Sequence, residues 1–525
     1  MGGAGTPRRK LYFFHRSVGI LTAFLGTVVF YTGAFTVFAP ELEVWATRDL
    51  RDSRYLSLHA LPADAIENGL AAATASFGAT EPDAIDVGLE PNGAVVYQVE
   101  AEDNTFEVYS YDVFRERGDL RVGVSRRSLR APGPRESLEY FFVHLHDRLL
   151  LPVNVGRPLT GLLGFALVIS AITGAYVHWP KRKTVLRAPR GRIRQRLAGW
   201  HTLLGAWTLL FTILSGATGA YLCLQSVYGI PLYVAALGPD ETKIRQTLDP
   251  PFSVLPAPGQ AALTKLVADA HRRAGGDVPI ESIRLHHWGR PNAYVFVGAN
   301  DVHRKPTQMR YVYHGASGEY LGRRGRIGGK PSVASRAIQY GRALHYGNIT
   351  GYSTKVPWLI LGLLTCVIAG TGLSVWAHRE RKSLPRLAKL ADAAVGALIA
   401  LPLASAVAVV AWAIAIPADP IAAMGLAFLA TLFVAASFSA RRSASRAFDA
   451  TLLSTSLAFL LLPWVGYAVT GVRPLADVTD PIRASADRVG HIGFLIAGGL
   501  CLLAVGARWV SRQQAPTRLS APLSR

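Results

Sequence analysis

Eight apolar runs interrupt this chain, each near the ~20 residues a helix needs to cross a ~30 Å hydrocarbon core, which leaves a polytopic helical membrane protein as the fold class. They cover 13–38, 159–179, 203–228, 356–377, 391–416, 421–438, 452–472 and 491–507, the sixth and eighth being short. Composition agrees, with 50% hydrophobic and 17% charged residues. The net charge of +21 would suggest nucleic acid in a soluble protein, so the position of the charge decides its meaning.

The basic residues sort to one side of the spans. Arg8, Arg9 and Lys10 precede the first, and 181–196 holds eight positive charges and no acid. Residues 379–389, 441–446 and 508–512 continue the series, so the positive-inside rule puts both termini and these loops in the cytoplasm. Nucleic-acid binding is excluded, because the cationic stretches are short loops between spans. The first run is full length and lacks a small-residue cleavage site, so no cleavable signal is expected.

Of the 35 acids, 28 lie in two polar segments, 41–151 and 231–356, which this topology places outside the cytoplasm as exported domains. Cys223, Cys366 and Cys501 all fall within apolar runs. Catalytic cysteine and cysteine-type zinc sites are therefore not expected in the exported segments. The resulting domain order is a cytoplasmic N-terminus with the first span (1–40), an exported domain (41–151), two spans around a basic loop (152–230), a second exported domain (231–350), a fourth span with its loop (351–390), and an appended four-span bundle (391–525).

The first 380 residues repeat internally. His15 with Gly19 and Thr32-Gly33 corresponds to His201 with Gly205 and Thr218-Gly219, at identical intervals of four and seventeen residues. Leu145-His146 followed by Thr173-Gly174 and Trp179-Pro180-Lys181 corresponds to Leu344-His345 followed by Thr371-Gly372 and Trp376. Each exported segment opens with a helix-like stretch, 63–75 or 261–274, and continues in alternating strands: 83–89, 94–99 and 106–111, then 280–286, 293–298 and 309–313. Gly315 to Glu319 reads as a hairpin turn. Two units of the same topology are related by an axis along the membrane normal, so matching residues can face each other across it.

The histidines carry the chemistry. His15 and His201 fall at the cytoplasmic ends of the first and third spans, and His146 and His345 just outside the membrane before the second and fourth. Two matched pairs, one near each face, are what two bis-histidine haems stacked across a bilayer require. Imidazole is neutral at pH 7, tolerates low dielectric and ligates d-block metals, whereas a single interfacial histidine is ordinarily an anchor. Gly19 and Gly205, one turn inward from His15 and His201, leave room for a flat macrocycle. Pro152 and Pro158 are expected to break the helix between His146 and its span.

His178 and His378 also lie at cytoplasmic span ends but do not match under the repeat, and they read as alternates or supporting groups for the inner pair. His144 reads as an outer-surface residue and His491 as structural. His286 and His287 are adjacent on a strand and point to opposite faces. His303 and His314, with Arg284, Trp288, Arg290, Arg304, Lys305, Arg310 and Tyr311, would suit an anionic or aromatic ligand, although a solvated face is the default. The glycine-rich 322–330 lacks phosphate-loop spacing, and no dinucleotide-binding motif is evident.

At His15-Arg-Ser-Val-Gly-Ile-Leu with Thr32-Gly33, Leu145-His146 with Gly156-Arg157, His201 with Gly205 and Thr218-Gly219, and Leu344-His345-Tyr-Gly-Asn348, the chain resembles the PepSY-associated transmembrane family over residues 8–382. Its exported segments resemble PepSY modules. Members include ferrisiderophore reductases of the FoxB type, so the resemblance implies b-type haem, two per chain, with His15, His201, His146 and His345 as iron ligands. It also implies a ferric siderophore as substrate and a cytoplasmic or quinol electron donor. His178 stands where the family usually has tryptophan, and the last four spans lie outside the family unit. The alternatives are a PepSY regulatory or scaffold protein binding a periplasmic partner, and a siderophore permease. The first four spans carry no internal ion pair of the sort that marks a coupled transport path.

Overall fold

A computed structural model describes residues 7–46, 57–61, 64–76, 84–89, 94–100, 105–112, 117–125, 137–178, 189–240, 254–276, 278–300, 308–325, 333–347, 349–415, 420–441, 444–471 and 481–513. The sequence expectations for Trp179 to Lys181, His303, Arg304, Lys305 and Asn348, and for parts of the basic loop and of 322–330, fall outside these residues.

In chain order the elements begin with α1 (Pro7–Thr36), α2 (Ala39–Ala46), α3 (Ala65–Ser76), β1 (Ala84–Leu89), β2 (Ala94–Glu100), β3 (Thr105–Asp112) and β4 (Arg117–Ser125). There follow α4 (Ser137–Arg148), α5 (Val153–His178), α6 (Ile193–Trp207), α7 (Leu209–Leu237) and α8 (Leu263–Ala274), then β5 (Ile280–His286), β6 (Tyr294–Asn300), β7 (Gln308–His314) and β8 (Tyr320–Gly325). The chain ends in α9 (Val333–Tyr346), α10 (Tyr352–Glu380), α11 (Pro385–Ile399), α12 (Leu401–Ala415), α13 (Pro420–Arg441), α14 (Ala444–Thr470) and α15 (Pro481–Gln513).

Six of these helices, α1, α5, α10, α13, α14 and α15, are each long and apolar enough to cross a membrane. Two bent pairs, α6 with α7 at 68° and α11 with α12 at 52°, bring the number to eight if each pair is one span. This is a polytopic membrane protein. The first bend falls at Thr208, whose hydroxyl bonds back to the Leu204 carbonyl at 3.1 Å, a pattern that bends helices without proline. The second falls at Ala400, two residues before Pro402, which has no N–H to continue the ladder.

The expected break after His146 is present, but it lies at Leu149 and Leu150, which adopt positive φ of 54° and 58°, and at Pro152. Pro158 sits inside α5 instead of ending it.

The strands form one antiparallel sheet in the order β4-β3-β2-β1-β5-β6-β7-β8. The two polar segments therefore share a sheet, joined where β1 pairs with β5 in the register Ile85↔Leu285 and Val87↔Ile283. Alternation puts Ile85, Val87, Val95, Tyr97, Ile283, Leu285, Val295 and Val297 on one face, where they pack under Ile66 and Leu70 of α3 and Leu266 and Val267 of α8. Glu67 of α3 accepts a bond from the Thr264 N–H at 2.8 Å, capping the start of α8.

A second core joins the C-terminal helices to the first segment. Leu138, Phe141 and Phe142 of α4, Tyr31 of α1 and Trp45 of α2 pack with Trp412, Met424 and Phe428. His491 has the structural place expected of it, accepting the Trp45 indole N–H at 3.2 Å.

Candidate functional site

The walls of the site are α1, α5, the bent α6–α7 pair and α10. Small residues bring them together: a Cβ on Gly164 of α5 would sit 2.9 Å from the Gly216 carbonyl of α7, and one on Gly362 of α10 would sit 2.8 Å from the Ala34 Cβ of α1. Between the walls lies a cavity of about 1180 Å³ whose lining includes His15, His201, His146 and His345.

Each of these four imidazoles rests on a glycine of a neighbouring helix. A Cβ added at Gly174 of α5 would lie 3.0 Å from His15 Cε1; at Gly33 of α1, 2.6 Å from His146 Cε1; at Gly372 of α10, 2.9 Å from His201 Cε1; and at Gly219 of α7, 3.0 Å from His345 Cε1. All four are the glycines of Thr-Gly pairs.

The geometry of a helix explains the choice. A side chain on residue i covers the turn before it, shielding the carbonyl of residue i−4, whose second lone pair is otherwise free. Glycine uncovers that oxygen. His15 Nδ1–H donates to the Ser170 carbonyl at 2.9 Å, His146 Nδ1–H to Val29 at 2.8 Å and His201 Nδ1–H to Ile368 at 2.9 Å, each carbonyl lying four residues before its glycine. His345 Nδ1 meets the Thr218 hydroxyl at 3.0 Å and the Ser215 carbonyl, again four before Gly219. The threonine hydroxyls donate back into their own helices, Thr32 to Val28, Thr173 to Ile169, Thr218 to Leu214 and Thr371 to Val367, and each also reaches the carbonyl beneath its histidine, at 3.1, 3.2, 3.3 and 2.9 Å, so hydroxyl and imidazole share that oxygen.

A carbonyl can only accept, so Nδ1 carries the proton and Nε2 keeps its lone pair on the far side of the ring. That is how ligating histidines are oriented. Burial holds His146 and His345 below the ordinary histidine pKa, which keeps both neutral.

The rings come together as two pairs. His15 and His201 have centroids 6.2 Å apart, and His146 and His345 are 5.9 Å apart. With metal–nitrogen bonds of ~2 Å, two imidazoles on opposite sides of one ion place their centroids ~6 Å apart. Among the described residues no group of three or more His, Cys, Asp or Glu gathers as a metal site, so each pair offers two imidazoles. A group held there would have to bring the rest of its metal's donors with it. Gly19 and Gly205 line the cavity, and an added Cβ at either would meet nothing within 4 Å. The donor set, the spacing and the open glycines fit haem.

The remaining sequence candidates separate. His178 lines the cavity at the His15 end and lies near enough to His201 to act on its charge. His378 is exposed, with Nδ1 bonded to the Ser374 carbonyl of its own helix at 2.9 Å, and it is not brought to the cavity lining. His144 is partly buried and lines the cavity at the His146 end, bonding Asp147 at 3.2 Å. Burial pushes the Asp147 carboxyl up, but hydrogen bonds from His144 and Arg157 and the charge of Arg148 outweigh it and bring the pKa down to about 2. Arg157 grips the same carboxylate through Nε at 3.0 Å and Nη2 at 2.9 Å, tying α4 to α5 beside His146. His286 stacks on Tyr294 at 4.4 Å, and His287 leaves the strand in a positive-φ turn. His314 is buried and bonds the Leu255 carbonyl at 2.7 Å, a structural place.

The family description "PepSY-associated TM region" matches residues 13–379. An uncharacterized protein of Pseudomonas aeruginosa is 27% identical over 256 residues, covering 46% of this chain. The chain spans 64% of that relative's length.

Proposed function

Because the chain belongs to the PepSY-associated transmembrane family, we propose that its cavity holds two b-type haems and that it carries electrons across the bacterial inner membrane to a periplasmic ferric siderophore. The observation that carries this reading is the seating of four histidines through Nδ1 against the helix turns that end in Thr-Gly pairs, which brings the rings together as two pairs spaced 6.2 and 5.9 Å. The basic loops support a topology with the His15–His201 pair on the cytoplasmic side and the His146–His345 pair on the periplasmic side. The matched intervals of the two halves, and the sheet into which both exported segments fold, support an internal duplication with two PepSY-like modules.

His15 with His201, and His146 with His345, would hold the two groups. When bound, haem supplies one-electron chemistry that no side chain offers. The chain's own part is positioning. Main-chain carbonyls fix each imidazole's tautomer and raise its basicity as a ligand, and the glycines keep the ring planes clear. Apolar walls exclude water from the space between the pairs. At the periplasmic end His144, Asp147 and Arg157 form a fixed polar rim around the place where a ferric chelate would accept an electron. Reduction converts hard Fe(III) into softer, less charged Fe(II), which oxygen chelators hold less tightly.

The test is the visible spectrum of detergent-purified protein, oxidised and dithionite-reduced, with pyridine haemochrome stoichiometry, repeated on His15→Ala and His345→Ala. Two haems per chain, with one lost in each variant, and oxidation of the reduced protein by a ferric hydroxamate are the expected results. A colourless protein from haem-replete cells would refute the reading and leave the exported sheet, as a partner-binding surface, to explain the family.

A further inference from the structure

At the His15 end the cavity is lined by Tyr12, Arg16 and Arg379 as well as by the histidine pair. Arg16 follows His15 on α1, and its side chain is only 28% exposed. A guanidinium has five N–H donors, and this one makes a single side-chain bond, Nη1 to Glu380 Oε1 at a long 3.3 Å. Its Nε is buried and has no hydrogen-bond partner among the described residues. The Cζ lies 5.1 Å from the Phe13 ring centroid, which holds the plane without satisfying its donors. A buried, charged donor left open costs more than a neutral one, so an acceptor is expected there.

Glu380 cannot be that acceptor. Its Oε1 is shared with Arg379 Nε at 3.7 Å, and its Oε2 takes the Ser383 hydroxyl at 2.8 Å. Among the described residues two guanidinium groups therefore face this one carboxylate. The position matching Arg16 in the second half is Thr202, whose hydroxyl is turned into its own helix at the Ala198 carbonyl, 2.9 Å away. The cation stands on one side only of a site that is otherwise paired.

We infer that Arg16 is the binding site for a carboxylate of the macrocycle held by His15 and His201. This rests on the haem reading and deepens it. A b-type haem carries two carboxylates on one edge, and ionised carboxylates are favoured at a wet, cationic mouth over a dry interior. The guanidinium fork suits a carboxylate better than an ammonium does. Because Thr202 offers no cation, Arg16 also selects one of the two ways round in which the macrocycle could enter between the paired histidines. Arg16 is thus a cofactor-binding and orienting residue, separate from the iron ligands.

The experiment reconstitutes haem-free protein with haem or with haem dimethyl ester, whose carboxylates are blocked, and follows the Soret band and transfer to apomyoglobin. Wild type should hold haem about tenfold more tightly than the ester at one of its two sites, as one charge-assisted bond implies. Arg16→Gln should lose that preference while still binding both compounds, and Arg16→Lys should keep part of it. Equal preference in wild type and Arg16→Gln would overturn the inference and leave the haem reading standing. Preference lost equally in Arg16→Gln and in Arg379→Gln would assign the effect to the charge of the rim, and would overturn it too. Wild type that takes up neither compound sinks both readings.

Discussion

Gly33→Ala tests the histidine seats most directly. The added Cβ would stand 2.6 Å from His146 Cε1 and 2.9 Å from Nδ1, where unstrained carbon contacts need ~3.5–4 Å. The ring must withdraw by about 1 Å, and the 2.8 Å bond to the Val29 carbonyl then opens past hydrogen-bonding range. Losing that buried bond costs about 1–3 kcal/mol, whereas alanine for glycine in a helix interior gives back about 1 kcal/mol. α1 should therefore survive. Its seat should not, because metal–ligand distances tolerate shifts of only ~0.2 Å. Pyridine haemochrome analysis of Gly33→Ala should show one haem lost from two, with the His15–His201 signal kept in low-spin EPR. Gly425→Ala, where a Cβ meets nothing within 4 Å, is the control and should keep both haems. A Gly33→Ala protein with two haems and an unaltered spectrum would refute the idea that these glycines seat ligands.

Three other outcomes follow from the same geometry. Gly205→Leu adds bulk only to the cavity, so it should leave thermal unfolding of the haem-free protein within about 1 kcal/mol of wild type while abolishing one Soret contribution. Asp147→Asn should destabilise the fold by about 2 kcal/mol at neutral pH. The folded pKa of about 2 lies below the ordinary value of 3.8, so the stabilisation is full above that value and fades as pH falls toward 2, where the melting temperatures of variant and wild type should converge. Lys355→Met strands Glu41, its partner at 2.5 Å in a pair whose side chains are 7% and 14% exposed, and should cost about 3–5 kcal/mol in a melt; adding Glu41→Gln should restore part of that, and strict additivity of the two losses would contradict it.

Much of this architecture was legible in residue order. Apolar runs of spanning length fix the helices because a bilayer leaves the backbone no other partner, and β5 has the bounds that alternation assigns to it. β8 was not legible, since Leu321-Gly-Arg-Arg-Gly lacks any alternating apolar face, and β4 alternates only in its second half, at Leu120, Val122 and Val124, and was not read as a strand. Nor was the pairing of β1 with β5, which joins residues about 200 apart and leaves no local trace. The bend at Thr208 involves neither proline nor glycine. At the site, matched spacing was enough to bring His15 to His201 and His146 to His345. The Thr-Gly pairs stood out as marks of the repeat, but their use as seats depends on which helix lies opposite, and spacing is silent about that. Periodicity also leaves His178 and His378 equivalent at their span ends, whereas packing turns the first toward the cavity and the second away.

The main-chain oxygens beneath the four imidazoles have one more consequence. A proton held between Nδ1 and a carbonyl of an intact helix has nowhere to go when the electron count on the other side of the ring changes. Under the proposed function, charge would therefore cross the bilayer as electrons alone, uncompensated by proton uptake at the ligands, and each turnover would be electrogenic. With the cytoplasm negative, an outward electron moves with the field and gains ~2.3 kcal/mol for every 100 mV it traverses. The resting membrane potential itself would then help drive a weak donor to reduce a tightly held ferric ion on the far side.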